Sequence, residues 1–169
     1  TATDYIRINV IEDDVIVSTD KIPIYSGTGS YELATGLEDT IHKIEIVKET
    51  AFGRWTFLGF ELENGKDLVP VPPERPDLKL VFYGDSNLAG YSLEHEQNDG
   101  ARALQGSYHG YAGISSRMLG AEYSNISRSG ASIRSLHTSF DRIDWGSPGT
   151  DWDFEQDEPP DAVIINIGA

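Results

Sequence analysis

The chain has 169 residues, enough for one large domain or two small ones with a buried core. A hydrophobic content of 38% and three tryptophans exclude a disordered chain, while 28 acidic against 13 basic side chains give a net charge of -15 that repels nucleic acid and anionic membrane. With no cysteine, disulfides, thiolate catalysis and zinc-thiolate sites are excluded, and no apolar run has the length of a membrane helix or a signal peptide's core. Such a field suits neutral or cationic partners, a neutral polysaccharide among them. The opening Thr1-Ala2-Thr3, without methionine, predicts a processed or trimmed start.

From Tyr5 to about Leu62 the pattern is β-structure. Tyr5–Val10, Val15–Val17, Ile22–Tyr25, Tyr31–Leu33, Ile41–Lys48 and Thr56–Leu62 are short apolar runs divided by Asp, Gly and Ser. Five or six short strands without a helix predict a β-sandwich of the jelly-roll kind over residues 1–67. Pro70, Pro72, Pro73 and Pro76 then fix the backbone and withhold donors, so residues 68–77 read as a stiff linker and the domain boundary.

Beyond the linker, over residues 78–169, the periodicity changes. Leu78–Tyr83 reads as a strand, Tyr108–Leu119 as a helix with Tyr111, Ile114 or Ser115, and Met118 on one face, and Glu122–Ser127 as a second strand. Ser135–Ile143 reads as a second helix, with Leu136, Phe140 and Ile143 along one face, and Ala162–Ile167 as a third strand. That alternation predicts a parallel α/β sheet, whose ligand sites lie at the carboxyl ends of the strands. All three predicted strand ends are small and polar: Gly84-Asp85-Ser86, Ser127-Arg128-Ser129-Gly130 and Asn166-Ile167-Gly168-Ala169. The first delivers Ser86 from a strand to a loop, as a nucleophile requires, although the same three residue types also make ordinary turns.

GDSN at 84–87, NISRSGAS at 125–132 and VIINIGA at 163–169 resemble, in order and spacing, the first three blocks of the SGNH (GDSL-type) hydrolases. IHKIEIVKET at 41–50, WTFLGFEL at 55–62 and WDFEQDEPPDAVIINIG at 152–168 narrow the resemblance to carbohydrate esterase family 2. The resemblance implies an N-terminal jelly roll followed by a flavodoxin-like SGNH sheet, of which only the first half lies in this chain. It implies a secreted serine esterase, without cofactor or metal, that removes acetyl groups from polysaccharides such as xylan and mannan.

Carried over residue by residue, the resemblance makes Ser86 the nucleophile and gives its backbone N–H, with that of Gly130, to the oxyanion; Asp85 and Gly168 support them. A turn glycine is the alternative for Gly130. The family's third block continues into an Asn-Asp pair past Gly168-Ala169, and its histidine lies in an Asp-x-x-His block further on. None of His42, His95, His109 and His137 matches that block, so the expectation is an N-terminal piece whose base and last oxyanion donor come from a C-terminal remainder, as a second chain or a further segment of this one. The third strand, apolar on both faces, is expected to need a covering neighbour.

Other features carry less. Trp152 and Trp145 have the chemistry to stack on sugar rings or to fill a core. Glu94-His95-Glu96 sits in a polar loop where adjacent side chains do not converge on a metal, and Asp151, Asp153, Glu155 and Asp157 lack the glycine and final glutamate of an EF-hand loop. The rival functional reading is a carbohydrate-binding jelly roll joined to a degenerate, non-catalytic hydrolase half.

Overall fold

The computed structural model describes residues 3–70, 75–97, 99–143, 149 and 151–168. Trp145, Ala169 and linker residues Pro72 and Pro73 lie outside them. The chain divides into two units, one of residues 1–48 and 52–75, the other of residues 49–51 and 76–169.

The first unit holds a three-stranded antiparallel sheet in the order β2-β1-β3, with β1 at Asp4–Glu12, β2 at Val15–Ile24 and β3 at Lys43–Lys48. Asp13 and Asp14 both take positive φ, 48° and 61°, closing β1 onto β2 through a two-residue turn whose twist matches the strands. Val15–Val17 and Ile22–Tyr25, separate runs in the sequence, therefore fall largely within one strand. The imperfect alternation of β1 comes from its central place. Ile6, Ile8 and Val10 are buried on one face, and Arg7 and Asn9 are buried on the other. Asn9 is accommodated by bonds to both neighbouring strands: it donates to Glu45 Oε2 at 2.7 Å and accepts from Thr19 Oγ1 at 2.7 Å.

The expected five or six strands reduce to these three among the described residues. Tyr31–Leu33 and Thr56–Leu62 form no ladder. Phe57 and Phe60 show why for the latter: their ring centroids lie 4.9 Å apart, whereas residues three apart in a strand point to opposite faces. Gly59 at φ +140° turns the chain between them. The apolar pattern was present without a partner backbone to make it a strand.

The second unit is a parallel sheet in the order β5-β4-β6, with β4 at Lys79–Gly84, β5 at Glu122–Ser127 and β6 at Ala162–Asn166. Helix α1, Tyr111–Leu119, connects β4 to β5, and α2, Ile133–Leu136, follows β5. Leu80, Phe82, Leu88 and Ala112 form the core beneath, with Leu78, Ala121, Tyr123 and Ile164 packed against it.

Both helices depart from their expected bounds, α1 starting at Tyr111 rather than Tyr108. The face of α1 carrying Tyr111, Ile114 and Met118 is 37%, 43% and 82% exposed, while Ala112, Gly113 and Ser116 are buried. Small side chains let the backbone come close: a Cβ on Gly113 would lie 2.7 Å from the Tyr108 carbonyl. The second helix starts earlier and is shorter than Ser135–Ile143. Ser132 caps it reciprocally with Ser135, and of the expected apolar stripe only Leu136 is buried.

Residues 49–51 pack within the second unit. The Tyr108 N–H donates to Glu49 Oε2 at 2.9 Å, the Ser107 N–H to the Glu49 carbonyl at 3.2 Å, and the Ala51 N–H to Gln105 Oε1 at 3.1 Å.

Candidate functional site

The register brings the three strand ends to one level. Gly84 at the end of β4 pairs with Ser127 of β5 on one side and with Asn166 of β6 on the other. The loops that follow therefore leave the same edge of the sheet side by side, where no further strand residue intervenes.

Ser86 lies on the loop after the central strand, half-buried. Its position is set from below: Leu88, two residues on, is 1% exposed in the core, and Asn125 Nδ2 donates to the Leu88 carbonyl at 3.1 Å. Gly84 is required by close approach, since a Cβ there would meet the Asn166 carbonyl oxygen at 2.6 Å and Leu88 Cβ at 2.7 Å. Within the turn the Ala89 N–H donates to the Asp85 carbonyl at 3.1 Å and the Tyr91 N–H to the Ser86 carbonyl at 3.0 Å.

Asp85 and Gly168, 83 residues apart, are brought into contact: the Gly168 N–H donates to Asp85 Oδ2 at 3.2 Å. Asp85 Oδ1 accepts from the Asn87 N–H at 2.9 Å and from Asn87 Nδ2 at 3.2 Å. On the other side the Arg128 N–H donates to the Gly84 carbonyl at 3.2 Å, tying in the loop that carries Gly130. Gly130 is exposed with φ +79°. Among the described residues neither its N–H nor that of Ser86 meets an acceptor, and Ser86 Oγ makes no hydrogen bond.

Trp152 lies in the segment leading to β6, 48% exposed, its backbone N–H donating to the Asp141 carbonyl; no hydrogen bond or ring contact among the described residues joins it to the Ser86 turn. Phe154 beside it stacks on Phe140 at 6.1 Å, and Phe140 meets Tyr83 edge-on at 6.4 Å. Burial pushes the Tyr83 phenol above its ordinary range, and the charge of Asp141 adds to this.

Two features of this unit went unread in the sequence. Tyr111, read only as part of one helix face, has its phenol pushed up by burial, against a side-chain hydrogen bond with Asn166 that lowers it, while the charge of Asp85 raises it further. Its hydroxyl is thus at the same strand ends. Glu49 is fully buried beside Tyr108, and nothing in KET at 48–50 signals that.

A parallel α/β sheet carries its ligand sites outside the carboxyl ends of its strands, and that is the edge on which the Ser86 turn lies. The comparisons define the kinship more closely. Residues 3–72 match the family described as Carbohydrate esterase 2 N-terminal. A family two carbohydrate esterase from Clostridium thermocellum, solved in complex with cellohexaose, is 25% identical with a TM-score of 0.77, covering 99% of this chain and 54% of its own. A carbohydrate esterase family 2 enzyme with a carbohydrate-binding domain from Corynascus thermopiles (Myceliophthora fergusii) is 22% identical, TM-score 0.72, with 99% and 54% covered. An acetyl xylan esterase from the rumen bacterium Butyrivibrio proteoclasticus is 19% identical, TM-score 0.71, with 99% and 50% covered. No curated protein sequence matches. The chain is therefore similar to the N-terminal part of family 2 carbohydrate esterases, as its sequence blocks implied, and spans about half the length of these solved structures.

Proposed function

We propose that the protein carrying residues 1–169 is a serine esterase that removes acetyl groups from polysaccharide hydroxyls outside the cell, through an acyl-enzyme on Ser86. The observation that carries this reading is the pinned Ser86 turn at the junction of three parallel strand ends, with the Ser86 and Gly130 N–H groups both available. Similarity to the cellohexaose-bound Clostridium thermocellum esterase supports a carbohydrate ester as substrate class. The accompanying fold reading is a jelly roll over residues 1–67, a stiff linker at 68–77 and the first half of an SGNH sheet at 78–169.

Ser86 Oγ attacks the acetyl carbonyl carbon while its proton passes to a base. Charge gathers on the carbonyl oxygen, where each fixed N–H donor, from Ser86 and Gly130, contributes about 3 kcal/mol to the transition state. Collapse breaks the bond to the sugar oxygen, which leaves with the proton, and water then attacks the acetyl-serine by the same route in reverse. A serine needs an adjacent base. The described residues show no histidine bonded to Ser86, and in this reading a histidine and a third oxyanion donor come from polypeptide outside residues 1–169.

Ser86→Ala in the full-length protein is expected to reduce hydrolysis of an acetylated xylan oligosaccharide by about 10⁴-fold or more, with unchanged thermal unfolding. A fluorophosphonate probe should label wild type at Ser86 and leave the variant unlabelled. Wild-type turnover in Ser86→Ala would remove Ser86 from the chemistry. An unreactive, inactive wild type that still binds oligosaccharide would favour the rival binding module.

A further inference from the structure

We infer that Asp85 is a positioning residue: its carboxylate sets the Ser86 turn against the end of β6, so that the serine and its N–H face the substrate in one geometry. The inference rests on the esterase reading and assigns a device within the same site.

The two carboxylate oxygens do different things. Oδ1 turns back on its own loop, holding the N–H of Asn87 at 2.9 Å and Nδ2 of the same residue at 3.2 Å, which shapes the backbone on the far side of Ser86. Oδ2 reaches across to a different strand and takes the Gly168 N–H at 3.2 Å. Ser86 lies between Asp85 and Asn87, so its peptide is bracketed by this carboxylate. The preceding residue is held from the opposite side, where the Gly84 carbonyl accepts from Arg128. All three strand-end loops are thereby joined through the two residues before Ser86.

Electrostatics set a condition on this arrangement. A free carboxylate one residue from a forming oxyanion would oppose it, whereas a carboxylate directed at three N–H donors has its lone pairs turned to those donors. An acceptor-only group is needed for that. An amide in its place offers one acceptor and one NH₂, so either Asn87 or Gly168 would face a donor. Leucine or alanine would leave both loops untied.

The test uses the full-length protein with para-nitrophenyl acetate as substrate and a fluorophosphonate as probe of the nucleophile. Asp85→Ala is expected to lower kcat and the rate of fluorophosphonate labelling by about 10²-fold, the scale of a misplaced reacting group. KM should change by less than about threefold, because the lost alignment matters chiefly in the transition state. Asp85→Asn, nearly isosteric, should fold as wild type and still lose about 10-fold in kcat. Asp85→Glu should not restore the rate, since the longer side chain carries the charge without the reach. A wild-type kcat in Asp85→Asn overturns the inference, even if the alanine variant fails to fold. Equal losses in kcat, KM and melting temperature across the series would also overturn it, by reducing Asp85 to a fold-stabilising residue. Ser86→Ala measured alongside separates the two readings: if it is inactive while Asp85→Asn is unimpaired, only the positioning role falls, and if it is active the esterase reading itself falls.

Discussion

Gly130 holds φ at +79°, and a Cβ built on it would meet nothing within 4 Å. A side chain there is therefore opposed by backbone conformation rather than by crowding, at a cost of about 1–2 kcal/mol for an ordinary L residue. Asparagine tolerates this conformation better, which separates the two roles open to the glycine. Gly130→Asn is expected to unfold near the wild-type temperature and Gly130→Val lower, with kcat reduced in both and KM less affected, because any side chain here would stand beside the proposed oxyanion. A wild-type kcat in Gly130→Asn would leave a turn glycine. The residue types at this edge were legible from order and spacing alone, since GDS after an apolar strand is a local pattern. That Gly84 is needed because Asn166 and Leu88 crowd it was not, since Asn166 is far along the chain.

At the scale of elements, β6 is an edge strand among the described residues, with Ile164 packed against the core and the apolar side chains of its other face uncovered. Val163 and Ile165 are 53% and 63% exposed, although the sequence AVIIN reads as a strand buried on both faces. An exposed apolar edge pairs readily with other strands. A polypeptide of residues 1–169 is accordingly expected to self-associate, and Ile165→Lys to shift it towards monomer in sedimentation velocity; unchanged association would place the sticky surface elsewhere. The helix α1 shows the complementary limit of pattern reading. Its 3.6-residue period was legible, but the period marks two faces, one bulky and apolar and one of small residues. Which faces the sheet depends on how closely the helix packs, and here the small face of Ala112, Gly113 and Ser116 is the one buried.

For the molecule as a whole, the solved neighbours are about twice as long as this chain, which covers 54% of the Clostridium thermocellum protein. In the esterase reading the added length supplies the base and covers β6. Residues 1–169 alone should then hydrolyse acetyl esters poorly, and co-expression with the remaining polypeptide as a second chain should restore turnover and solubility together. Full activity of residues 1–169 alone would assign the base to a histidine within them. What the sequence determined by itself is what short-range forces decide. The strand β5 at Glu122–Ser127, the near-coincident β4 and β6, their parallel alternation with helices and the placing of Ser86 after β4 all follow from hydrophobic period and turn chemistry over a few neighbours. Only the tertiary structure decided that Thr56–Leu62 finds no strand partner among the described residues, that Glu49 is buried beside Tyr108, and that Gly168 donates to Asp85. Each of these depends on whether a group tens of residues away arrives within about 3 Å, and neither period nor propensity carries that distance, because closing a long loop is settled by the sum of packing across the whole fold.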